Sequence, residues 1–176
     1  MERNQCLIGL SQEIDKMPKK EELLYPEIEQ WCRIYLGNKN KGYSVITTYE
    51  TSKIALDSYL KTIGIEIKEA IRLSIRVDIV GVLRRGKDIK LVFIEVKDQP
   101  LTLADLGQLW GYTQLINPIE SFLISSAGLG SLEYLLKILK REDLLVYGMK
   151  KEKMMRICKW DGQRKAIDYS TLIPKL

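Results

Sequence analysis

Two runs of strand-like sequence separated by a short turn constrain the fold more than any other part of the chain. Residues 75–83 and 89–97 are rich in β-branched and apolar side chains, and they flank the turn segment 84–88. Gly86 supplies the unusual backbone angle that a tight hairpin turn needs. The sequence therefore predicts an antiparallel β-hairpin over residues 75–97.

Two charged residues continue an apolar face of the second predicted strand. Because side chains alternate along a strand, Glu95 and Lys97 share a face with Leu91 and Phe93, which are core residues by type. A charge on such a face is costly unless it is paired or bound to a metal. The Glu-x-Lys pattern therefore marks a candidate functional site, and a buried salt bridge between Glu95 and Lys97 is the structural alternative.

Asp78 interrupts the apolar run of the first predicted strand. If Gly86 and Lys87 are the two loop residues, Arg85 faces Asp88 across the hairpin. The numbers of any two facing residues then have the same sum, so Asp78 lies directly opposite Glu95. Directly opposed Cβ atoms are about 4.5–5.5 Å apart, and two ionised carboxylates that close repel each other. A divalent cation between them would remove the repulsion. A longer loop would shift this register, and a salt bridge from Asp78 to an arginine such as Arg76 is the alternative interpretation.

The absence of histidine narrows the chemistry that such a site can perform. The chain contains no histidine, which excludes Ser-His-Asp and Cys-His hydrolases, histidine-metal nucleases and an imidazole general base. Cys6, Cys32 and Cys158 are isolated, so we interpret them as reduced thiols and not as ligands of zinc or an iron–sulfur cluster. Carboxylate ligands indicate a hard cation, Mg²⁺ or Mn²⁺. Its bound water can serve as nucleophile, while Lys97 orients that water or stabilises charge developing on phosphorus.

The overall charge favours a polyanionic partner. The net charge is +5 and the sequence pI is about 9.0, which makes nucleic acid the first candidate. The basic residues form two local clusters: Arg84, Arg85 and Lys87, and Lys150, Lys151 and Lys153. A solvated face is the more common role of each cluster taken separately. No run approaches the ~18 apolar residues of a membrane span, and no signal peptide is recognised, so we expect a soluble cytoplasmic protein with no membrane partner.

Hydrophobic periodicity and turn residues predict the elements around the hairpin. Helices are predicted for residues 19–36, 51–63, 102–115 and 132–140, and Pro26 begins or bends the first of them. Strands are predicted for residues 42–50, 121–126, 144–147 and 154–160, while residues 65–74 carry no clear pattern. Thr102 is the predicted N-cap of the third helix, with Asp105 three residues on. This order predicts one α/β domain with a mixed β-sheet that contains an antiparallel hairpin and is flanked by α-helices.

Three segments of the chain resemble the PD-(D/E)xK nuclease superfamily: Arg76-Val77-Asp78, Phe93-Ile94-Glu95-Val96-Lys97 and Gly107-Gln108-Leu109-Trp110-Gly111-Tyr112. The resemblance covers residues 21–148 of a single domain of residues 1–176. It implies a restriction-endonuclease-like fold in which the aspartate and the Glu-x-Lys motif lie on adjacent strands and bind Mg²⁺. The family often has a proline before the aspartate, where this chain has Val77.

The resemblance also implies roles for individual residues. The implied catalytic residues are Asp78, Glu95, Lys97, Gln108 and Glu22, and the implied metal ligands are Asp78, Glu95, Val96 and Glu22. Glu22 represents the acidic residue that the family's first helix contributes, with Glu21, Glu27 and Glu29 as alternatives. Gln108 and Tyr112 resemble the Gln-x-x-x-Tyr helix motif of the RecB-like branch, although simple packing of that helix on the sheet is an equal alternative. The iron–sulfur members of that branch use a cysteine set that this chain lacks.

A protein of this kind is expected to hydrolyse phosphodiester bonds of DNA with Mg²⁺ or Mn²⁺. RNA is an alternative substrate that the sequence does not exclude. A homodimer is an alternative to the monomer. The main alternative is a non-catalytic nucleic-acid-binding module with the same fold, and another is a structural domain with buried ion pairs. The presence of all three of Asp78, Glu95 and Lys97 favours the enzyme.

Overall fold

A six-stranded β-sheet is the centre of the fold in the computed structural model, which describes residues 20–175. In chain order, the strands are β1 (Ser44–Thr48), β2 (Ile79–Arg85), β3 (Asp88–Lys97), β4 (Glu120–Ser125), β5 (Val146–Tyr147), β6 (Lys153–Met154), β7 (Arg156–Asp161) and β8 (Ala166–Ile173). The large sheet has the order β1-β2-β3-β4-β7-β8, and β5 pairs with β6 in a separate ladder. Strands β3, β4 and β7 are parallel, while the remaining neighbours are antiparallel. The mixed sheet confirms the predicted fold class.

Helices cover both faces of the sheet. They are α1 (Tyr25–Lys39), α2 (Leu56–Thr62), α3 (Leu103–Ile116) and α4 (Gly130–Glu133), which continues into a π-helical turn, Tyr134–Ile138. Short 3₁₀ turns occupy Lys20–Leu24, Glu50–Ser52, Lys68–Ala70 and Glu142–Leu145. One core lies between α1 and the sheet, and the other lies under α2, α3 and α4. Among the described helices, none is both long enough and apolar enough to span a membrane.

The central strand β3 contributes to both cores. Leu91 and Phe93 belong to the core under α3, whereas Val92, Ile94 and Val96 belong to the core under α1. A strand covered on both sides needs apolar residues at every position, which explains its continuous hydrophobic run. Glu95 lies on the α3 face of this buried strand, so its carboxylate lies next to the apolar core under α3.

The predicted register of the β2–β3 hairpin is confirmed. Arg85 pairs with Asp88, and Ile79 pairs with Ile94, so residue numbers in each pair sum to the same value. A two-residue turn remains between the strands, and its Gly86 has a φ of 61°. The same sum places Asp78 opposite Glu95, at the point where β2 begins.

The predicted start of the first hairpin strand is wrong. The strand was expected from residue 75, but β2 begins at Ile79. The Ile75 carbonyl accepts a hydrogen bond from the Leu56 amide at 2.8 Å, so this segment is tied to the start of α2 and not to β3. Asp78 consequently lies just before the strand, where its side chain is free to turn towards β3.

Several other boundaries differ from the predicted ones. Strand β1 is shorter than residues 42–50, the helix predicted over 51–63 begins only at Leu56, and α4 contains four residues before its π turn. Strand β8 has no counterpart among the predicted elements and carries the sheet beyond residue 148. Helix α1 follows a 3₁₀ turn and has Pro26 at its start. Of the two roles predicted for Pro26, beginning the helix or bending it, the structure shows the first. The predicted cap of α3 is confirmed, since Thr102 and Asp105 form a complete capping box.

Helix α1 lies unusually close to β2 at Gly81. A Cβ atom at residue 81 would come within 2.6 Å of the Leu36 Cδ1 atom. Real Cβ atoms do not approach neighbours so closely, because packed interiors leave no spare volume. The end of the Leu36 side chain therefore occupies the space that a side chain at residue 81 would need.

Candidate active site

Asp78 is held by two hydrogen bonds at the beginning of β2. Its Oδ2 atom accepts the backbone N–H of Val96 at 2.8 Å, and its Oδ1 atom accepts the hydroxyl of Tyr25 at 2.8 Å. The first bond replaces the backbone pairing that β2 would make if it continued. Burial raises the pKa of Asp78 above its ordinary value, although the Val96 N–H and the Tyr25 hydroxyl act in the opposite direction.

Glu95 is almost completely enclosed, with 1% of its surface exposed. Its Oε1 atom accepts from the Lys97 ammonium at 2.8 Å and from the Gln108 amide at 2.6 Å. Its Oε2 atom is buried and has no hydrogen-bond partner within residues 20–175. Burial, followed by the charge of Asp78, raises the pKa of Glu95 to about 7, while Lys97 lowers it.

Lys97 completes the charged cluster and is half-buried. Burial lowers its pKa, but the ion pair with Glu95 and the charge of Asp78 raise it by more, so the net shift is upward. The ammonium therefore stays protonated at neutral pH. It balances one of the two carboxylates and leaves the other without a direct ion pair among the described residues.

The carboxylate pair fits a divalent cation. Glu95 Oε2 is a buried oxygen without a donor in the described part of the chain, and the mutual repulsion of Asp78 and Glu95 contributes to the raised pKa of Glu95. Oxygen ligands suit Mg²⁺ or Mn²⁺, and Mg²⁺ commonly uses one or two carboxylates and fills its other positions with water and phosphate. In residues 20–175 no group of three or more carboxylate or thiol side chains is placed to hold a metal. Val96 contributes its N–H to Asp78, and its role as a ligand stays a prediction.

Helix α3 delivers Gln108 to the cluster. The capping box at Thr102 fixes the start of α3, and Gln108, one and a half turns later, reaches Glu95. Tyr112 is half-buried and packs against the core under the same helix. The structure thus brings together Asp78, Glu95, Lys97 and Gln108, while Tyr112 supports the packing of α3.

The 3₁₀ turn Lys20–Leu24 lies against β3 and carries two of the candidate glutamates. The charge of Glu21 raises the pKa of Glu95, Lys97 and Tyr25, which places Glu21 close to the carboxylate pair. Glu27 forms an ion pair with Lys165 at 3.2 Å, and Glu29 one with Arg33 at 2.7 Å. These contacts favour Glu21 among the alternatives, and the choice of Glu22 stays a prediction.

Known proteins provide no independent assignment for these residues. No protein-family model matches the chain, and no curated protein matches it in sequence. The chemistry of the site therefore follows from the geometry and the charges of its own side chains.

Tyr25 is a hydrogen-bonding side chain of the described site that the sequence pattern does not indicate. It is buried at the first position of α1, and its hydroxyl reaches an aspartate 53 residues further along the chain. In the sequence, Tyr25 is recognisable only as an apolar side chain that carries a hydroxyl group, next to Pro26. Since a buried hydroxyl needs a partner, this feature predicts a hydrogen bond but not its acceptor.

The two basic clusters lie away from the carboxylates or have other roles. Arg84, Arg85 and Lys87 surround the hairpin turn, roughly 20–26 Å from Asp78 at about 3.3 Å per strand residue. Lys153 donates to the carbonyls of Asn117 and Pro118 at 3.1 Å each, so it joins two loops. Lys150 and Lys151 are exposed. None of these six residues contacts the carboxylate pair in the described structure.

The shifted pKa of Glu95 predicts how stability depends on pH without metal. The folded protein binds the Glu95 proton up to about pH 7, whereas the unfolded chain releases it near the ordinary value of 4.5. Stability should therefore be fully present below the unfolded pKa and fall as the pH rises through about 7, by on the order of 3 kcal/mol. Urea denaturation in a chelator at about pH 4 and about pH 8, below the unfolded and above the folded pKa, measures this difference.

Glu95→Gln should remove most of that pH dependence, because the amide does not titrate. Glu133→Gln, at an exposed position of α4, is the matched control and should behave as the wild type. An equal fall in stability for Glu95→Gln and the wild type would show that other groups cause it.

Proposed function

We propose that the protein is a phosphodiester hydrolase that cleaves DNA and depends on Mg²⁺ or Mn²⁺. The observation that carries the proposal is the close pair of buried carboxyl groups, Asp78 and Glu95, in which the Glu95 Oε2 atom has no N–H or O–H donor among residues 20–175. A structural ion pair would use the available oxygens, because an unsatisfied buried polar atom costs stability. A cation shared by Asp78 and Glu95 would satisfy that oxygen.

The other side chains support this chemistry by positioning and by charge. Tyr25 and the Val96 N–H fix the orientation of Asp78, while Gln108 and Lys97 fix that of Glu95. The bound cation would supply an acidified water and polarise the phosphate. Lys97, which keeps its proton, would stabilise the negative charge that develops on phosphate oxygens. The net charge of +5 favours a polyanionic substrate.

A non-catalytic nucleic-acid-binding module is the second candidate. Lys97 already forms an ion pair with Glu95 at 2.8 Å, and this contact needs no metal. In that case the cluster would stabilise the hairpin end and nucleic acid would bind to basic surface residues.

A cleavage panel separates the two candidates. Duplex, single-stranded, flap and four-way DNA, together with single-stranded RNA, are incubated with Mg²⁺, with Mn²⁺ or with chelator. We expect metal-dependent cleavage of at least one DNA and none with chelator. Binding of these nucleic acids without cleavage under either metal would contradict the hydrolase and support the binding module.

A further inference from the structure

The end of the sheet that lies opposite the carboxylates carries an excess of positive charge. The turn between β2 and β3 brings Arg84, Arg85 and Lys87 together, and the loop between α1 and β1 carries Lys41. The turn and the loop are neighbours, because Ser44, the first residue of β1, pairs with Arg84. All four basic side chains are exposed. These four residues form what we call the basic turn surface.

Acidic side chains leave most of this charge uncompensated. Asp88, beside the turn, lies 3.7 Å from the Lys90 ammonium and 3.8 Å from the Arg85 guanidinium, so two cations share its charge. Lys90 is half-buried and is not part of the surface. The other three members of the basic turn surface form no ion pair within residues 20–175. Cations gathered in one place repel one another, and a polyanionic partner would remove that cost.

Tyr43 decides which polyanion the surface suits. The Arg85 guanidinium carbon lies 4.4 Å from the centre of the Tyr43 ring, and the Lys90 ammonium lies 4.7 Å from it. The Tyr43 hydroxyl donates to Asp88, which holds the ring in place. A ring that two cations already occupy is not free to stack on an unpaired base, the contact by which single strands are commonly held. The surface therefore suits a duplex, whose phosphate backbone is bound through charge.

A membrane surface fits this end of the molecule less well than a duplex. Membrane-surface binding combines cations with an apolar face that enters the lipid. The two turns, residues 40–43 and 84–88, contain Asn, Lys, Gly, Tyr, Arg and Asp but no aliphatic side chain. The surface thus has charge without an apolar face.

We infer that the basic turn surface holds the phosphate backbone of a duplex arm of the DNA on which the carboxylate pair acts. The inference rests on the proposed function and adds a requirement on its substrate. The turn lies roughly 20–26 Å from Asp78 at about 3.3 Å per strand residue. At about 3.4 Å of duplex per base pair, this distance spans roughly six to eight base pairs. The substrate is therefore DNA with a duplex arm of at least about six base pairs beside the cleaved bond.

Binding without metal tests the inference independently of cleavage. A labelled duplex long enough to span both ends of the sheet is titrated in chelator at several salt concentrations, and its anisotropy is recorded. A double variant, Arg84→Ala/Lys87→Ala, is compared with the wild type, because the remaining cations partly compensate for the loss of a single charge. Removing two phosphate contacts should reduce the salt slope by about 1.8 and weaken binding at least about tenfold.

The matched control removes two lysines from another loop. Lys150→Ala/Lys151→Ala takes two exposed charges from the loop between β5 and β6, and its affinity should stay within about twofold of the wild type. Equal affinity and slope for Arg84→Ala/Lys87→Ala and the wild type, or equal losses in the two double variants, would overturn the inference.

Two other anionic partners test the choice of a duplex. An oligothymidylate of the same length and vesicles that contain phosphatidylserine are titrated with the same proteins. We expect Arg84→Ala/Lys87→Ala to lose more affinity for the duplex than for the single strand. A loss as large for the single strand, or a loss seen only with the vesicles, would contradict the duplex assignment.

The length of the duplex arm connects the surface to the candidate active site. Wild-type kcat/KM should fall when the arm is shorter than about six base pairs, and Arg84→Ala/Lys87→Ala should not show this dependence. Cleavage independent of arm length in both proteins would contradict the inferred span. If the binding effects appear but no DNA is cleaved, the surface assignment stands and the proposed hydrolase fails. If DNA is cleaved and the double variant binds as the wild type, the hydrolase stands and the surface assignment fails.

Discussion

Asp78→Asn should lose divalent-metal binding and DNA cleavage while keeping its fold. The substitution removes one of two anionic groups that face each other, so metal affinity should fall by more than the ~10–100-fold typical of residues that only support a ligand. The asparagine oxygen can still accept the Val96 N–H, and its amide can donate to the Tyr25 hydroxyl oxygen. Calorimetric titration with Mn²⁺ and a cleavage assay measure the two losses.

The metal-free stability of Asp78→Asn distinguishes a metal site from a structural ion pair. Removing one of two close carboxylates relieves repulsion, so the melting temperature in chelator should stay the same or rise. Asp88→Asn, at the turn end of the same hairpin, should keep the metal affinity of the wild type and controls for the titration only, because it loses contacts of its own with Tyr43, Arg85 and Lys90. Metal affinity equal to that of the wild type, or a melting temperature many degrees lower without metal, would contradict the assignment of Asp78.

Lys97→Ala should bind DNA and metal but cleave about 10²–10³-fold more slowly. That factor is the usual cost of losing one electrostatic contact to developing charge. An ammonium next to the phosphate stabilises charge that grows during attack more than charge already present in the complex, so turnover should fall more than affinity. Gln108 still donates to Glu95 in this variant, which keeps the carboxylate oriented. Single-turnover rates at saturating DNA and metal are the measurement.

Two further variants sharpen the test of Lys97. Lys97→Arg should restore only part of the rate, because the planar guanidinium is larger and holds its protons more firmly. Lys90→Ala removes a lysine from the other end of β3 and should cleave as the wild type. Wild-type cleavage by Lys97→Ala would leave the Glu-x-Lys motif without a catalytic role and would move the site elsewhere.

The geometry between the two hairpin strands could be predicted because it depends on local rules. Gly86 fixes a two-residue turn, the turn fixes the register, and the register sets Asp78 opposite Glu95. The start of β2 could not be predicted in the same way. The apolar pattern continues through Ile75 and Val77, but their burial comes from packing under α2 and α3 and not from pairing with β3.

The site residues that the sequence pattern does not identify are positioned by contacts between segments that are distant in the chain. Tyr25 meets Asp78 only because α1 crosses the sheet, and no local spacing encodes that meeting. The choice between Glu21 and Glu22 depends on the 3₁₀ form of the turn that carries them. A 3₁₀ turn rotates successive side chains by about 120°, against about 100° in an α-helix, so the predicted α-helical pattern does not decide which of the two glutamates faces the site. Gln108 was singled out by the resemblance of residues 107–112 to the Gln-x-x-x-Tyr motif, and the capped helix α3 places it at Glu95.

The close approach of α1 at Gly81 makes mutational tolerance uneven along β2. Leu36, which occupies the space above Gly81, belongs to the same rigid helix that presents Tyr25 to Asp78. An added methyl group at residue 81 would press on the end of the Leu36 side chain, which would have to change its conformation or move together with α1. A substitution at residue 81 can therefore reach the site through α1, although residue 81 touches no reacting group. A library of random variants selected for activity should accept fewer residues at position 81 than at the exposed positions of Arg84 and Arg85 on the same strand.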